Sequence, residues 1–201
     1  MDPIRSRGAH GVAPHERALD DLRFIRETME RAGSFTAISG WGVALVGFTA
    51  LATAFAAART TTPEAWMRTW LSEAALAFGV AAITTVQKAR AAHVLLFSGP
   101  GQRFALGFAP PALAGALLTL VLFRLQLFSV MPGLWMLLYG ASLVTGGAAS
   151  VRVVRALGFC FLLLGTTALF GPPSWSNTLM AVGFGGLHLV FGIVIARRHG
   201  G

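Results

Sequence analysis

The sequence predicts an all-α polytopic membrane protein, a bundle of six transmembrane helices preceded by one amphipathic helix. Hydrophobic residues make up 55% of the 201 positions and charged residues only 12%. All eight acidic residues lie within the first 73 positions, and the rest of the chain contains none. A soluble domain exposes charges of both signs to water, whereas segments that cross hydrocarbon carry few charges. This composition indicates an integral membrane protein.

The region before the first apolar run predicts a disordered terminus at residues 1–13 and an amphipathic helix at residues 14–33. Apolar residues recur at helical spacing on one face: Ala18, Leu22, Ile25 and Met29. Pro14 suits the first position of a helix, and Gly33 suits the position just past its end. We expect this helix to lie at the cytoplasmic membrane surface or to dock on a partner.

Six apolar runs follow within a transmembrane domain at residues 38–198. A bilayer crossing needs roughly 20 mostly apolar residues. The predicted spans are 39–58, 66–86, 104–123, 132–149, 153–170 and 177–196. Because the backbone must satisfy its own hydrogen bonds in lipid, runs of this length are helices.

Two adjacent prolines lie within the predicted third span. Pro110 and Pro111 either kink the helix or start it, and we expect them to start it because proline is tolerated in the first turn. Residues 104–108 are then an interfacial segment.

The basic residues give an orientation. Thirteen Lys and Arg lie before the first span, in the second and fourth connections and after the last span, against three in the other connections. Basic residues near spans hold their loops in the cytoplasm. Both termini are therefore predicted to be cytoplasmic.

The five tryptophans fall near the ends of the predicted spans, where indole rings anchor helices at the membrane interface. The predicted interface anchors are Trp41, Trp66, Trp70, Trp135 and Trp175.

Small residues four positions apart predict close helix packing. Such pairs let helix backbones approach where lipid removes most of the hydrophobic drive for association. The predicted packing positions are Ala75, Gly79, Ser142, Gly146, Ala181 and Gly185.

Glu73 is the only acidic residue inside an apolar run. An ionisable group within a span is costly, and it marks a candidate functional site. The neighbouring Arg68, Trp70 and Ser72 favour a hydrated or ion-paired carboxylate, and proton coupling or cation binding is the alternative.

His188 lies near the middle of the sixth span after three glycines. The commoner role of such a histidine is a neutral side chain bonded across helices, here to Tyr139, Ser142 or Thr166. Glu73, His188 and Tyr139 are thus the candidate intramembrane polar site. The alternative for His188 is axial ligation of haem or chlorophyll, or proton relay. No cofactor is otherwise predicted.

Residue types that support common enzyme mechanisms are missing from the later spans. The sequence has no H-E-x-x-H motif, no nucleophile elbow, no Cys/His cluster and no pair of intramembrane carboxylates. We therefore predict no catalytic residues, no metal site and a non-enzymatic protein. The basic residues are spread between apolar runs rather than gathered on one face, so nucleic acid is not a predicted partner.

Three parts of the chain resemble a group of uncharacterised small bacterial six-span integral membrane proteins. They are residues 22–31, residues 131–135, and the end of the chain from Gly183 to His188 and from Ala196 to His199. The resemblance implies a bacterial inner membrane but no activity and no site residues.

The sequence leaves two functions open. The first is a structural or accessory subunit of a larger membrane complex, with a membrane-protein partner or a second copy of the chain beside it in the bilayer. The alternative is a small-solute or proton-coupled transporter, or a membrane sensor, that uses Glu73 and His188.

Overall fold

The computed structural model describes residues 35–93 and 99–199, together with Leu22 and Ile25. Five long helices precede the sixth span: α1 (Gly40–Ala57), α2 (Pro63–Ala91), α3 (Gly99–Arg124), α4 (Met131–Gly146) and α5 (Arg152–Phe170). The sixth span contains α6 (Ser176–Met180), a π-helical segment (Ala181–Leu187) and α7 (His188–His199). Six helices are long and apolar enough to cross a membrane. The predicted all-α, six-span fold is confirmed.

The predicted disordered terminus and amphipathic helix, residues 1–33, lie outside the described residues except at two positions. Leu22 and Ile25 are helical and exposed.

Consecutive helices pack beside one another from α3 to the sixth span, and α1 packs on both α2 and the sixth span. Within the described residues, α2 and α3 share no extended contact. The bundle therefore has a gap between α2 and α3. We call the end with connections 58–62, 125–130 and 171–175 the tryptophan end, and the opposite end the basic end.

Polar side chains cap the starts of two helices. The Gly42 backbone N–H donates to the Ser39 hydroxyl at 3.1 Å, and the Ala65 N–H donates to the Thr62 hydroxyl at 3.2 Å. Pro63 occupies the first turn of α2. A backbone N–H at this position has no acceptor within the helix, so proline loses no hydrogen bond there. These caps satisfy donors that a helix start otherwise leaves unpaired.

The expectation that Pro110 and Pro111 start the third span is wrong. Helix α3 begins at Gly99 and runs through both prolines, so residues 104–108 are part of the span. Pro111 has no N–H to donate to the Gly107 carbonyl four residues earlier. The Thr145 hydroxyl of α4 donates to this carbonyl at 2.6 Å and replaces the missing partner.

Two of the predicted packing positions do not contact other helices. Ala75 is exposed, and a side chain added at Gly79 would meet nothing within 4 Å. Both lie on a face of α2 that no neighbouring helix covers, because α2 packs on α1 with its opposite side. The pair therefore does not pack against another described helix of this chain, and its packing at a subunit contact stays a prediction.

The remaining predicted packing positions lie at or near helix contacts. Ser142 is fully buried, and Ala181 is half-buried against the core. A Cβ at Gly146 would lie 3.0 Å from the Phe104 carbonyl oxygen, and one at Gly185 would overlap Leu51. These small residues allow close approach to α3 and α1, respectively.

The close packing of α4 on α5 uses glycines that the four-residue spacing did not select. A Cβ at Gly140 would lie 2.8 Å from the Gly158 carbonyl oxygen, and one at Gly165 would lie 3.0 Å from the Gly133 carbonyl oxygen. Gly133 and Gly140 are seven residues apart on α4, and Gly158 and Gly165 are seven residues apart on α5. Seven residues make about two helical turns. A seven-residue glycine spacing was the signal available in the sequence.

The segment before α1 contacts the α4–α5 connection and α3 at the basic end. The Phe35 backbone N–H donates to the Ala149 carbonyl at 2.7 Å, and the Ser150 hydroxyl donates to the Phe35 carbonyl at 2.7 Å. The Phe35 ring stacks on Phe104 of α3 at 5.2 Å between centroids. The chain thus enters α1 only after contacting the α4–α5 connection.

Candidate intramembrane binding site

A cavity of about 410 Å³ lies beside the gap between α2 and α3. Its walls come from α1, α2, α3, α4 and the sixth span. Most lining residues are apolar, and the polar or aromatic ones are Glu73, Thr119, Tyr139, His188, Trp70, Trp135, Phe78, Phe108 and Phe184. Cavities of this size bind small organic molecules, with a few polar groups that fix orientation.

Glu73 lies on the wall that α2 contributes and is 5% exposed. It is about 15 Å along the helix from Pro63, at ~1.5 Å per residue. Both carboxyl oxygens have partners on α1: Oε1 lies 2.7 Å from the Thr49 hydroxyl, and Oε2 lies 3.0 Å from the Thr53 hydroxyl. The structure thus pairs this side chain with threonines rather than with a neighbouring cation.

The Thr49 hydroxyl has two neighbours that accept hydrogen bonds. It lies 3.0 Å from the Val46 carbonyl oxygen and 2.7 Å from Glu73 Oε1, but a hydroxyl has one hydrogen. An ionised Glu73 accepts that hydrogen. If it goes to Val46, a protonated Glu73 donates to Thr49 instead. The same atoms satisfy both protonation states of Glu73.

Tyr139 and His188 form the second polar group of the cavity. The tyrosine hydroxyl lies 2.7 Å from His188 Nε2, and His188 is 3% exposed. Of the three partners that the sequence offered, the structure selects Tyr139. The other ring nitrogen, Nδ1, is buried without a side-chain partner among the described residues, and the backbone of Gly183 and Phe184 in the preceding turn lies beside the ring.

The π-helical segment (Ala181–Leu187) immediately precedes His188 and contributes Phe184 to the cavity. The His188 ring stacks on Phe184 at 6.0 Å and meets Phe161 of α5 edge-on at 5.3 Å. A π turn inside an α-helix shifts the side chains that follow it and often marks a functional site. The sequence showed only the glycines of this segment, not its geometry.

Of the five predicted interface anchors, Trp70 is buried in the bundle, and Trp66 and Trp135 are half-buried. Trp70 is only 3% exposed, and the rings of Trp66 and Trp135 stack in parallel at 5.7 Å. All three indole N–H groups have hydrogen-bond partners on neighbouring helices. Trp41 and Trp175 are 63% and 52% exposed, as an anchor at the bundle surface requires.

Asn177 holds two of these indoles at the tryptophan end. Its Oδ1 accepts from Trp66 Nε1 at 3.1 Å and from Trp70 Nε1 at 3.2 Å, and its Nδ2 donates to the Ala54 carbonyl at 3.0 Å. One amide therefore joins α1, α2 and the sixth span. This half-buried amide with three partners holds the three helices together at the tryptophan end of the cavity.

Thr119 positions the remaining cavity tryptophan. The Trp135 Nε1–H donates to the Thr119 hydroxyl at 2.8 Å, and that hydroxyl donates to the Gly115 carbonyl at 2.7 Å. The bond joins α3 to α4 and holds the Trp135 ring against the cavity.

The structure brings Glu73, Tyr139 and His188 together on the walls of one cavity. Sequence reasoning missed the residues that support them. Thr49, Thr53, Thr119 and Asn177 are ordinary polar residues of apolar runs, and only their partners on other helices show their roles. The available signal was a threonine pair, Thr49 and Thr53, four residues apart on one helix face.

The described residues contain no group of three or more His, Cys, Asp or Glu side chains that could hold a metal ion. His188 Nε2 is bonded to Tyr139, so axial ligation through this nitrogen would require that bond to break. Cys160 of α5 is a half-buried free thiol and does not line the cavity.

Comparison of the chain with protein-family models, with curated proteins and with solved structures finds no match.

Proposed function

We propose that the protein is a membrane transporter or sensor that binds a small, largely apolar molecule in the cavity beside α2 and α3. The observation that carries this proposal is one cavity whose mostly apolar walls contain four polar side chains: Glu73, Thr119, Tyr139 and His188. Ligand sites commonly combine apolar walls with a few converging polar groups.

The gap between α2 and α3 supports entry from the bilayer. Lining residues of α2, including Ala74 and Phe78, are exposed on this side, and Phe78 is 75% exposed. An opening between two membrane-spanning helices faces lipid, where an apolar molecule is already concentrated. A ligand can therefore reach Glu73 without crossing the polar ends of the bundle.

The cavity favours a binding role. The accessory-subunit role, which the sequence predicted first, stays a prediction. We further propose a bacterial inner membrane with both termini in the cytoplasm. The resemblance of the sequence supports the membrane, and the distribution of basic residues supports the orientation.

The test is equilibrium binding of two radiolabelled aromatic probes, neutral triphenylphosphine oxide and cationic tetraphenylphosphonium, to the purified full-length protein in mild detergent. We expect saturable binding of at least one probe. Ala77→Phe places a ring in the cavity and should weaken that binding at least tenfold. Ala75→Phe is the matched control, because Ala75 lies on the same helix but does not line the cavity. Absence of saturable binding of both probes, or equal effects of the two variants, contradicts the proposal.

A further inference from the structure

Glu73 is the only acidic residue on the cavity wall, and no Lys or Arg lines the cavity within the described residues. The other titratable groups on the wall are Tyr139 of α4 and His188 of the sixth span, which bond to each other. The lining residues of α1 and α3 include no titratable side chain. No basic side chain of the described cavity wall therefore neutralises Glu73.

A buried carboxylate without a nearby cation loses its hydration, and the hydroxyl groups of Thr49 and Thr53 replace only part of it. Two states avoid this cost. In one, the carboxyl group is protonated and neutral. In the other, it is ionised and a cation lies beside it. Since the cavity wall supplies no such cation in the described part of the chain, the cation of the second state comes from a ligand.

The hydrogen bonds around Glu73 suit both states. Thr49 accepts from the protonated carboxyl group while it donates to Val46, or it donates to the ionised group. Thr53 donates to Oε2 in either state. The proton can therefore leave Glu73 with only a rotation of the Thr49 hydroxyl.

The aromatic rings of the cavity wall also favour the binding of a cation. The faces of Trp, Tyr and Phe attract cations within about 6 Å. Six aromatic side chains line the cavity: Trp70, Phe78, Phe108, Trp135, Tyr139 and Phe184. A small hydrated ion would gain little from such walls, whereas an organic cation with apolar substituents would contact both the rings and the carboxylate.

We infer that the ligand is a lipophilic organic cation, such as an aryl-substituted phosphonium or ammonium ion, and that it exchanges with the proton of Glu73. On binding, the O–H bond of the carboxylic acid breaks, its electron pair stays on the carboxylate, and the proton leaves to water. The cation then balances the carboxylate charge. This inference rests on the proposed binding function of the cavity.

The test measures tetraphenylphosphonium binding to the purified protein in weakly buffered detergent solution, together with the pH change on binding. We expect release of about one proton for each cation bound. Where Glu73 is mostly protonated, affinity should fall about tenfold for each unit of decrease in pH. Triphenylphosphine oxide carries no net charge and should show neither effect.

Glu73→Gln should abolish proton release and make any remaining binding independent of pH. Glu64→Gln is the matched control, because Glu64 lies in the first turn of the same helix and does not line the cavity. Thr53→Val keeps the carboxyl group and should retain proton release, which tests the inference if Glu73→Gln does not fold. His188→Gln should also retain it.

Three results would overturn the inference. They are pH-independent binding of the cation to the unchanged protein, equal affinity for the neutral and cationic probes, and proton release that is lost in His188→Gln but kept in Glu73→Gln. In each case, binding that Ala77→Phe blocks would still support the proposed function. Loss of saturable binding of both probes would remove the proposed function itself.

Discussion

Tyr139 of α4 and His188 of the sixth span share a 2.7 Å hydrogen bond between two residues 49 positions apart in the chain. The two side chains bond to each other, and both line the cavity that contains Glu73. The bond therefore joins the start of α7, just after the π-helical segment, to α4.

Removing the tyrosine hydroxyl should destabilise the protein. Tyr139→Phe leaves His188 Nε2 buried without its partner, and we expect the free energy of unfolding to fall by about 1 kcal/mol. A double-mutant cycle with His188→Leu, followed by thermal unfolding in detergent, measures the coupling. Additive effects of the two substitutions would show that the bond contributes nothing to stability.

The contact between α1 and the sixth span should not tolerate a methyl group. At Gly192 an added Cβ would overlap the Ala44 backbone and lie 2.9 Å from the Gly40 carbonyl oxygen. We expect Gly192→Ala to lower the free energy of unfolding by about 1–3 kcal/mol, because two backbones must separate. Gly79→Ala is the control, since nothing lies within 4 Å of the added Cβ. Similar melting temperatures for the two variants would contradict this packing.

Asn177 should contribute more to stability than its exposed neighbour. Asn177→Leu leaves the indole N–H groups of Trp66 and Trp70 without their acceptor, and we expect a loss of about 1–3 kcal/mol. Thr178→Val, at an exposed position one residue later, should change stability little. Thermal unfolding followed by tryptophan fluorescence compares the two. An Asn177→Leu protein as stable as the control would rule out this role.

The predicted orientation can be tested by cysteine labelling. In a Cys160→Ala background, a cysteine at exposed Thr61 of the tryptophan end should react with a membrane-impermeant maleimide in intact cells. A cysteine at exposed Gln102 of the basic end should react only after the cells are broken. The reason is the excess of basic residues at that end, which favours the cytoplasm. The reverse labelling pattern would invert the topology.

The sequence by itself predicted the number of spans and the bounds of the first and fifth spans to within one residue, whereas the third helix begins five residues before its predicted start. The first span was predicted at 39–58 and is observed as Gly40–Ala57, and the fifth was predicted at 153–170 and is observed as Arg152–Phe170. This is possible because each span depends on its own properties. Its length and hydropathy decide whether it crosses the bilayer, and its backbone hydrogen bonds form within the segment.

The tertiary structure alone decided which side of each helix meets another helix. Trp70 is buried and Gly79 is uncovered, although the sequence predicted a surface anchor and a packing position. The passage of α3 through Pro110 and Pro111 likewise depends on Thr145 of another helix. In lipid, apolar residues suit both the lipid-facing and the helix-facing sides, so hydropathy does not distinguish them. The meeting of Glu73, Tyr139 and His188 in one cavity follows from helix rotation and packing, which no single segment encodes.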